Sequence, residues 1–312
     1  MSTWFAAFIF IIGVVLVIRG GDWFVDAASW IARAAGVPSF LVGATIVSFA
    51  TTLPEMIVSV SAALAGKNDM AVGNVVGSAT VNTGLIMGLA IIFLPVIAKR
   101  KNYLKQSLIL ICSCALLWFG SRSGNLKLWA NLVLAALFVI FMVTSALDAR
   151  SEMAVNEKEE VDSRKIRRNI MLFVVGAAGI VAGSQCLING GSALAEAFGV
   201  PERVIAVTMV AIGTSLPELI TTLTAIHKKE SGMSIGNVIG ANVIDLTLIL
   251  PVCSLVSGTE YAVSAQTLSL DLPFCMAVTL IALIPVILKE KAYRVQGILL
   301  VAVYAVYLFL TI

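Results

Sequence analysis

The sequence predicts an all-α membrane protein: ten transmembrane helices in two inverted five-helix repeats, with broken helices at the midplane. Three observations lead there. Hydrophobic residues make up 59% of the 312 and charged residues only 12%, where a soluble domain carries roughly 25% charged. The charges gather in short connectors between long uncharged stretches. And the chain overlays itself when shifted by 163 residues.

A helix needs about 20 predominantly apolar residues to cross the hydrocarbon core. That criterion marks ten spans, near 4–19, 39–65, 70–96, 104–121, 127–147, 169–195, 202–226, 233–257, 269–288 and 294–312. The first follows Met1-Ser2-Thr3 with no basic residue before it, so it reads as a retained span rather than a cleaved leader. It can extend toward Gly36 as a longer tilted helix. Cytoplasmic connectors collect Lys and Arg. With ten spans both termini share one side, where the connectors hold Lys67, Arg122, Lys127 and Arg203; the other seventeen of the 21 basic residues belong to the opposite side. Both termini are therefore expected outside the cell membrane, with residues 148–168 in the cytoplasm. That stretch carries six basic and six acidic residues and reads as a solvated linker.

Composition also excludes some functions. A net charge of +3 with no basic cluster among aromatics gives nucleic acid no surface. Five cysteines (Cys112, Cys114, Cys186, Cys253, Cys275) lie in or beside apolar runs without metal-site spacing, and read as buried small hydrophobes. His227 sits beside Lys228 and Lys229 and reads as a solvated connector residue. A single histidine rules out a multi-histidine metal centre. No cofactor and no obligate protein partner are inferred; the expected surroundings are the lipid bilayer.

The duplication divides the chain into 1–147, a linker 148–168, and 169–312. Its strongest part matches 36–82 to 199–245, with 16 of 47 positions identical and no gap. Gly36-Val37-Pro38 falls on Gly199-Val200-Pro201, Leu53-Pro54-Glu55 on Leu216-Pro217-Glu218, and Gly73-Asn74-Val75 on Gly236-Asn237-Val238. Shared hydrophobicity alone would not place Pro, Glu, Gly and Asn in register. Five spans per copy is an odd number, so the second copy enters the membrane from the other side. Secondary transporters commonly use such inverted pairs, with the substrate site near the midplane between them.

Two stretches in each copy are too polar to face lipid. The first is Ser48-Phe49-Ala50-Thr51-Thr52-Leu53-Pro54-Glu55, echoed by Ala211-Ile212-Gly213-Thr214-Ser215-Leu216-Pro217-Glu218. Each proline lacks an amide proton and clashes with the carbonyl four residues earlier, which frees the carbonyls of Ala50 and Gly213. Free carbonyls at membrane depth are tolerated only against protein or a polar cavity, and a cation would satisfy them. Glu55 and Glu218 follow directly. A carboxylate in mid-bilayer costs roughly 3 kcal/mol on insertion scales, so each is a functional candidate by default. Thr51 and Thr52 share a helix face with Glu55, as Thr214 and Ser215 do with Glu218.

The second stretch holds Gly73, Asn74, Gly77, Ser78 and Asn82, with Asn74, Ser78 and Asn82 on one polar stripe. Its echo is Asn237, Ala241 and Asp245. The Gly-xxx-Gly pairs (Gly73/Gly77 and Gly236/Gly240) read as close helix contacts that would bring both stripes to the glutamates. Every candidate ligand is a hard oxygen, which favours calcium, magnesium or sodium over zinc or copper. Two bidentate glutamates with two threonine carbonyls would supply six oxygens, the lower end for calcium. Three carboxylates are balanced by three sodium ions or by calcium plus a proton.

At these residues the chain resembles the cation/calcium exchanger superfamily. Its two alpha-repeats correspond to 36–82 and 199–245, and Gly213–Glu218 and Gly236–Asn242 reproduce its motifs almost fully. Asn82 in the first copy with Asp245 in the second is similar to the prokaryotic sodium/calcium exchangers. The resemblance implies an antiporter exchanging sodium for calcium by alternating access, the first and sixth spans sliding across the site. It implies calcium on Glu55, Glu218 and the carbonyls of Thr51 and Thr214. It places flanking sodium sites on Thr52, Ser78, Ser215, both glutamates and the carbonyls of Ser48 and Ala211, with Asn82 and Asp245 lining the middle. The chain departs from the family at Ala50 for Gly, Thr52 for Ser and Ala79 for Asn. Ala241 stands where the family has a serine hydroxyl at the outer sodium site, which leaves the coupling open. The alternatives are a calcium/proton antiporter of the same fold and, more remotely, a cation channel. No catalytic motif supports an intramembrane enzyme.

Overall fold

The computed structural model describes residues 2–94, 100–153, 162–199, 213–258 and 261–311. Among them it is helical throughout, apart from a two-residue antiparallel pair of β1 (Asn125–Leu126) with β2 (Tyr261–Ala262). Eight helices are long and apolar enough to cross a membrane, and a bent pair makes a ninth span. In chain order these are α1 (Thr3–Ala35), the bent pair α2 (Ser39–Thr51) and α3 (Leu53–Leu64), α4 (Asn68–Phe93), α5 (Arg100–Gly120), α6 (Leu128–Met153), α7 (Ser163–Ala197), α9 (Ser231–Ser257), α10 (Thr267–Lys289) and α11 (Arg294–Thr311). The shorter α8 (Leu216–His227) lies between α7 and α9. Of the expected span 202–226, residues 202–212 lie outside the described residues. The chain is an integral membrane protein.

The first helix does run on to Ala35, where Gly36 closes it with φ 67°, a left-handed cap that favours glycine. Layering follows exposure. In α4 and α9, 78% of the spanning window is buried, against 28% in α1 and 22% in α7. So α4 and α9 form the centre, and α1, α6, α7 and α11 turn large apolar side chains such as Trp4, Phe8, Val139, Val174 and Phe309 outward. Apolar association gives no drive between helices in lipid, so close backbone approach through small residues must supply it. The α1–α7 pair shows this: a Cβ on Gly20 would lie 2.9 Å from the Gly176 carbonyl, and one on Gly190 2.9 Å from that of Ala6. At one end of α1, Lys228 pairs with Asp22 (3.3 Å) and Asp26 (2.9 Å), and Arg33 with Glu230 (3.5 Å).

The two glycine pairs in the centre behave differently. Gly236 and Gly240 on α9 are pressed against α2, where a Cβ would overlap the carbonyl oxygens of Phe40 and Ala44. Gly73 and Gly77 on α4 have no such neighbour within 4 Å among the described residues, and instead line a cavity. The expected close contact is thus present for the second pair only. The cysteines also divide. Cys114, Cys253 and Cys275 are buried, Cys186 is half-buried, and Cys112 is exposed on the outer surface of α5, against expectation; all five are free. An outward apolar position in a membrane helix suits a thiol as well as a core one does. His227 is exposed, as expected.

Candidate cation site

The site grows from two proline-started helices, the first of them the second half of a bent pair. The chain bends by 47° between α2 and α3, with Thr52 between them and Pro54 in the first turn of α3. Pro217 occupies the same place in α8. Each proline starts a helix, where its missing amide does no harm. The next residue, Glu55 or Glu218, then sits in a first turn whose free N–H groups favour negative charge. Both side chains are buried, Glu55 at 1% exposure and Glu218 at 0%. Neither faces lipid.

Hydrogen bonds tie the two halves together crosswise. Thr52 donates its hydroxyl to Oε1 of Glu218 at 3.2 Å, and Ser215 donates to Oε1 of Glu55 at 3.4 Å. Thr52 and Ser215 are themselves 163 residues apart, so one contact is the repeat of the other. The second oxygen of each glutamate, Oε2, is buried and makes no hydrogen bond. Nor do both oxygens of Asp245 and both polar atoms of the Asn82 side chain. A buried polar group without a partner forfeits its hydration, at about 1–3 kcal/mol and more when charged. Five of these six atoms, the four carboxylate oxygens and the Asn82 Oδ1, are oxygens chemically suited to a cation. The charges of Glu218 and Asp245 both act on Glu55. Among the described residues no three carboxylate, imidazole or thiol groups converge closely enough to hold a metal by themselves. Any ion here must also draw on neutral oxygens.

Thr51, Thr52, Ser215, Glu55 and Glu218 are therefore brought together. Thr214 is buried beside Ser215, and Ser78 is buried on α4, where it faces the cavity along Gly73 and Gly77. Asn82 and Asp245 each open a π-helical turn, Asn82–Met87 in α4 and Asp245–Ile249 in α9. Such turns are frequent at functional sites. The Ser48 carbonyl accepts from the Thr52 amide (2.9 Å) and lies within reach of the Thr51 (3.2 Å) and Thr52 (2.7 Å) hydroxyls, whose single protons it shares with Asn237 Oδ1 and Glu218 Oε1. An ion on that oxygen would displace a hydroxyl. Ala211 lies outside the described residues.

Asn74 shares a cavity wall with Ser78, and both Asn74 and Asn237 also find a hydroxyl partner on the preceding helix. Asn74 donates to Ser59 at 2.9 Å and Asn237 to Thr222 at 3.5 Å, two more contacts related by the 163-residue shift. The Asn237 carbonyl oxygen also accepts from the Thr51 hydroxyl at 3.2 Å. Reasoning from sequence missed Ser59, Thr222 and Thr83. The last takes a 2.6 Å hydrogen bond from Asn242, whose amide also points at the Ala79 carbonyl. The Ser59/Thr222 pair could have been found, because both are hydroxyls in register under the same shift. We expect Thr52→Val and Ser215→Ala to weaken cation binding to similar extents, about fivefold each for one hydrogen bond of ~1 kcal/mol. Equilibrium calcium binding to each purified variant tests this, and grossly unequal losses would break the equivalence.

The model of the sodium/calcium exchanger protein family matches residues 5–147 and 168–312. The chain is 29% identical to the sodium/calcium exchanger MaX1 of Methanosarcina acetivorans, covering 96% of each chain. It is 32% identical to the inner membrane protein YrbG of Escherichia coli over 82% of this chain and 81% of that one. Its fold superposes on a crystal form of the sodium-calcium exchanger NCX_Mj, soaked with sodium and strontium, with a TM-score of 0.84, 29% identity and 98% coverage of both chains. Two proline-started helices that offer crossed glutamates to a buried centre, in a chain matched over nearly its whole length, place this protein in the sodium/calcium exchanger family.

Proposed function

We propose that the protein is a secondary active antiporter that exchanges sodium for calcium by alternating access. The observation that carries the reading is the crossed pair of buried glutamates beside the unpartnered oxygens of Asp245 and Asn82. In this reading calcium binds Glu55 and Glu218 with the carbonyls of Thr51 and Thr214. Sodium binds around Thr52, Ser78, Ser215 and the carbonyls of Ser48 and Ala211. The architecture is ten spans in two inverted repeats, 1–147 and 169–312, with both termini outside and 148–168 cytoplasmic. The helices α1 and α7 slide as one unit. Their glycine-mediated packing supports this, as does an apolar cavity of about 520 Å³ separating Leu53, Pro54 and Ile57 from Phe173 and Ala177 of α7.

Purified protein in liposomes should take up calcium when loaded with sodium, and should not do so under a pH gradient alone. Uptake that ignored sodium and followed pH would favour the second reading, a calcium/proton antiporter. One feature supports that reading: Ala241, fully buried on α9, offers no hydroxyl for an outer sodium ion. Ala241→Ser is therefore expected to lower the half-saturating sodium concentration by about threefold to tenfold, as one added ligand of ~1 kcal/mol would. An unchanged sodium titration would remove position 241 from the site.

A further inference from the structure

One buried carboxylate lies outside the duplicated machinery. Asp271, in the first turns of α10, is 9% exposed. Its Oδ1 accepts from the Tyr307 hydroxyl of α11 at 3.0 Å, and its Oδ2 from the Thr267 hydroxyl at 3.0 Å. Shifted back by 163 residues, Asp271 falls on Leu108, 47% exposed on the outer surface, and Tyr307 on Thr144. The acid is thus no relic of the repeat. A hydroxyl clamp joining α10 to α11 would not call for a carboxylate, which is costly to bury in a span.

Asp271 also lines a cavity of about 210 Å³ between α4, α10 and α11. One water needs only ~10–15 Å³ of such space, so a cation with much of its hydration shell fits. Among the described residues Asp271 is the only charged one on the wall. Gln266, Asn74, Thr311, Ser78 and the two tyrosines Tyr304 and Tyr307 also line it, and each carries a hard oxygen. Ser78 is the link inward, since it belongs to the central site proposed above. The cavity runs along the same open face of Gly73 and Gly77 that lacks the close packing found at Gly236 and Gly240.

We propose that Asp271 forms a second cation site, a staging position where sodium or calcium, still partly hydrated, pauses before passing Ser78 to reach Glu55 and Glu218. The carboxylate supplies the attraction and the two hydroxyls hold it toward the cavity. This rests on the antiporter reading for its cargo, though not for the binding itself.

Two measurements on the full chain separate those claims. Terbium, a luminescent stand-in for calcium, is titrated into Glu55→Gln/Glu218→Gln protein, whose central site is disabled. Saturable emission sensitised by nearby aromatics should remain, and adding Asp271→Asn should remove most of it. Emission that is absent, or that is indifferent to Asp271→Asn, overturns the proposal whatever the protein transports. In liposomes with sidedness controlled, Asp271→Asn alone should raise the half-saturating cation concentration about threefold to tenfold on the face carrying Thr311, and not on the opposite face. Tyr307→Phe, which removes one of the two hydroxyls and keeps the charge, should shift half-saturation on that same face by clearly less than Asp271→Asn does, because Thr267 still holds the carboxylate. An equal effect on both faces, or a Tyr307→Phe effect as large as that of Asp271→Asn, would mean a purely structural contact and reject the staging site. If wild-type protein carried no calcium against sodium, the antiporter reading would fall while the terbium result stood.

Discussion

Glutamine in place of Glu55 or Glu218 is expected to reduce sodium-driven calcium uptake to the level of protein-free liposomes. Each carboxylate is fully buried, and each offers one oxygen to a hydroxyl of the opposite half and a second oxygen to nothing. Glutamine keeps the shape and one acceptor but removes the charge. Removing one member of a buried charge pair costs ~3–5 kcal/mol, about two to four decades in cation affinity. The two variants should fail alike, because Glu55 and Glu218 occupy equivalent places at equivalent proline-started helices. Folding is checked separately by size-exclusion profile and thermal melting. Wild-type uptake by either well-folded variant would remove that glutamate from the ion path.

Gly240→Val should have the other large effect, on the assembly of the bundle. Gly240 brings α9 against the backbone of α2, and a Cβ there would overlap the Ala44 carbonyl and crowd the Ser48 hydroxyl. Overpacking costs typically ~1–3 kcal/mol, and helical backbone gives way less readily than a side chain. The expected result is a clear drop in melting temperature in detergent and a loss of monodisperse protein, with Gly240→Ala intermediate. The same displacement would carry Ser48, Thr51 and Thr52 away from Glu218, so transport should fall even in the protein that folds. A valine variant as stable as wild type would show that α2 and α9 do not meet as described.

The glutamates, the prolines before them and the polar turns at Asn82 and Asp245 were all legible as sequence, because the duplication sets them in register and the bilayer makes each one conspicuous. Asp271 is a buried carboxylate too, but it has no counterpart at Leu108, so a reading based on the repeat passes it over. Asn74 and Ser78 were assigned one stripe by their spacing. The fold puts both on one cavity wall and also turns the Asn74 amide to Ser59, since a four-residue spacing says which face a side chain shares and not which neighbour it finds there.

The sequence alone marked this as a chain of many apolar spans, the break at Pro54 and the costly acids of the duplicated stretches, because the free energy of transfer into lipid is assigned residue by residue. Only the tertiary structure decided that Thr52 reaches Glu218 and Ser215 reaches Glu55. It alone showed that one glycine pair is sealed while the other lines a cavity, and that Asp271 looks into that cavity. Those are contacts between groups as many as 196 residues apart, as Gly240 is from Ala44, set by how close two backbones can come, and no local transfer energy encodes them.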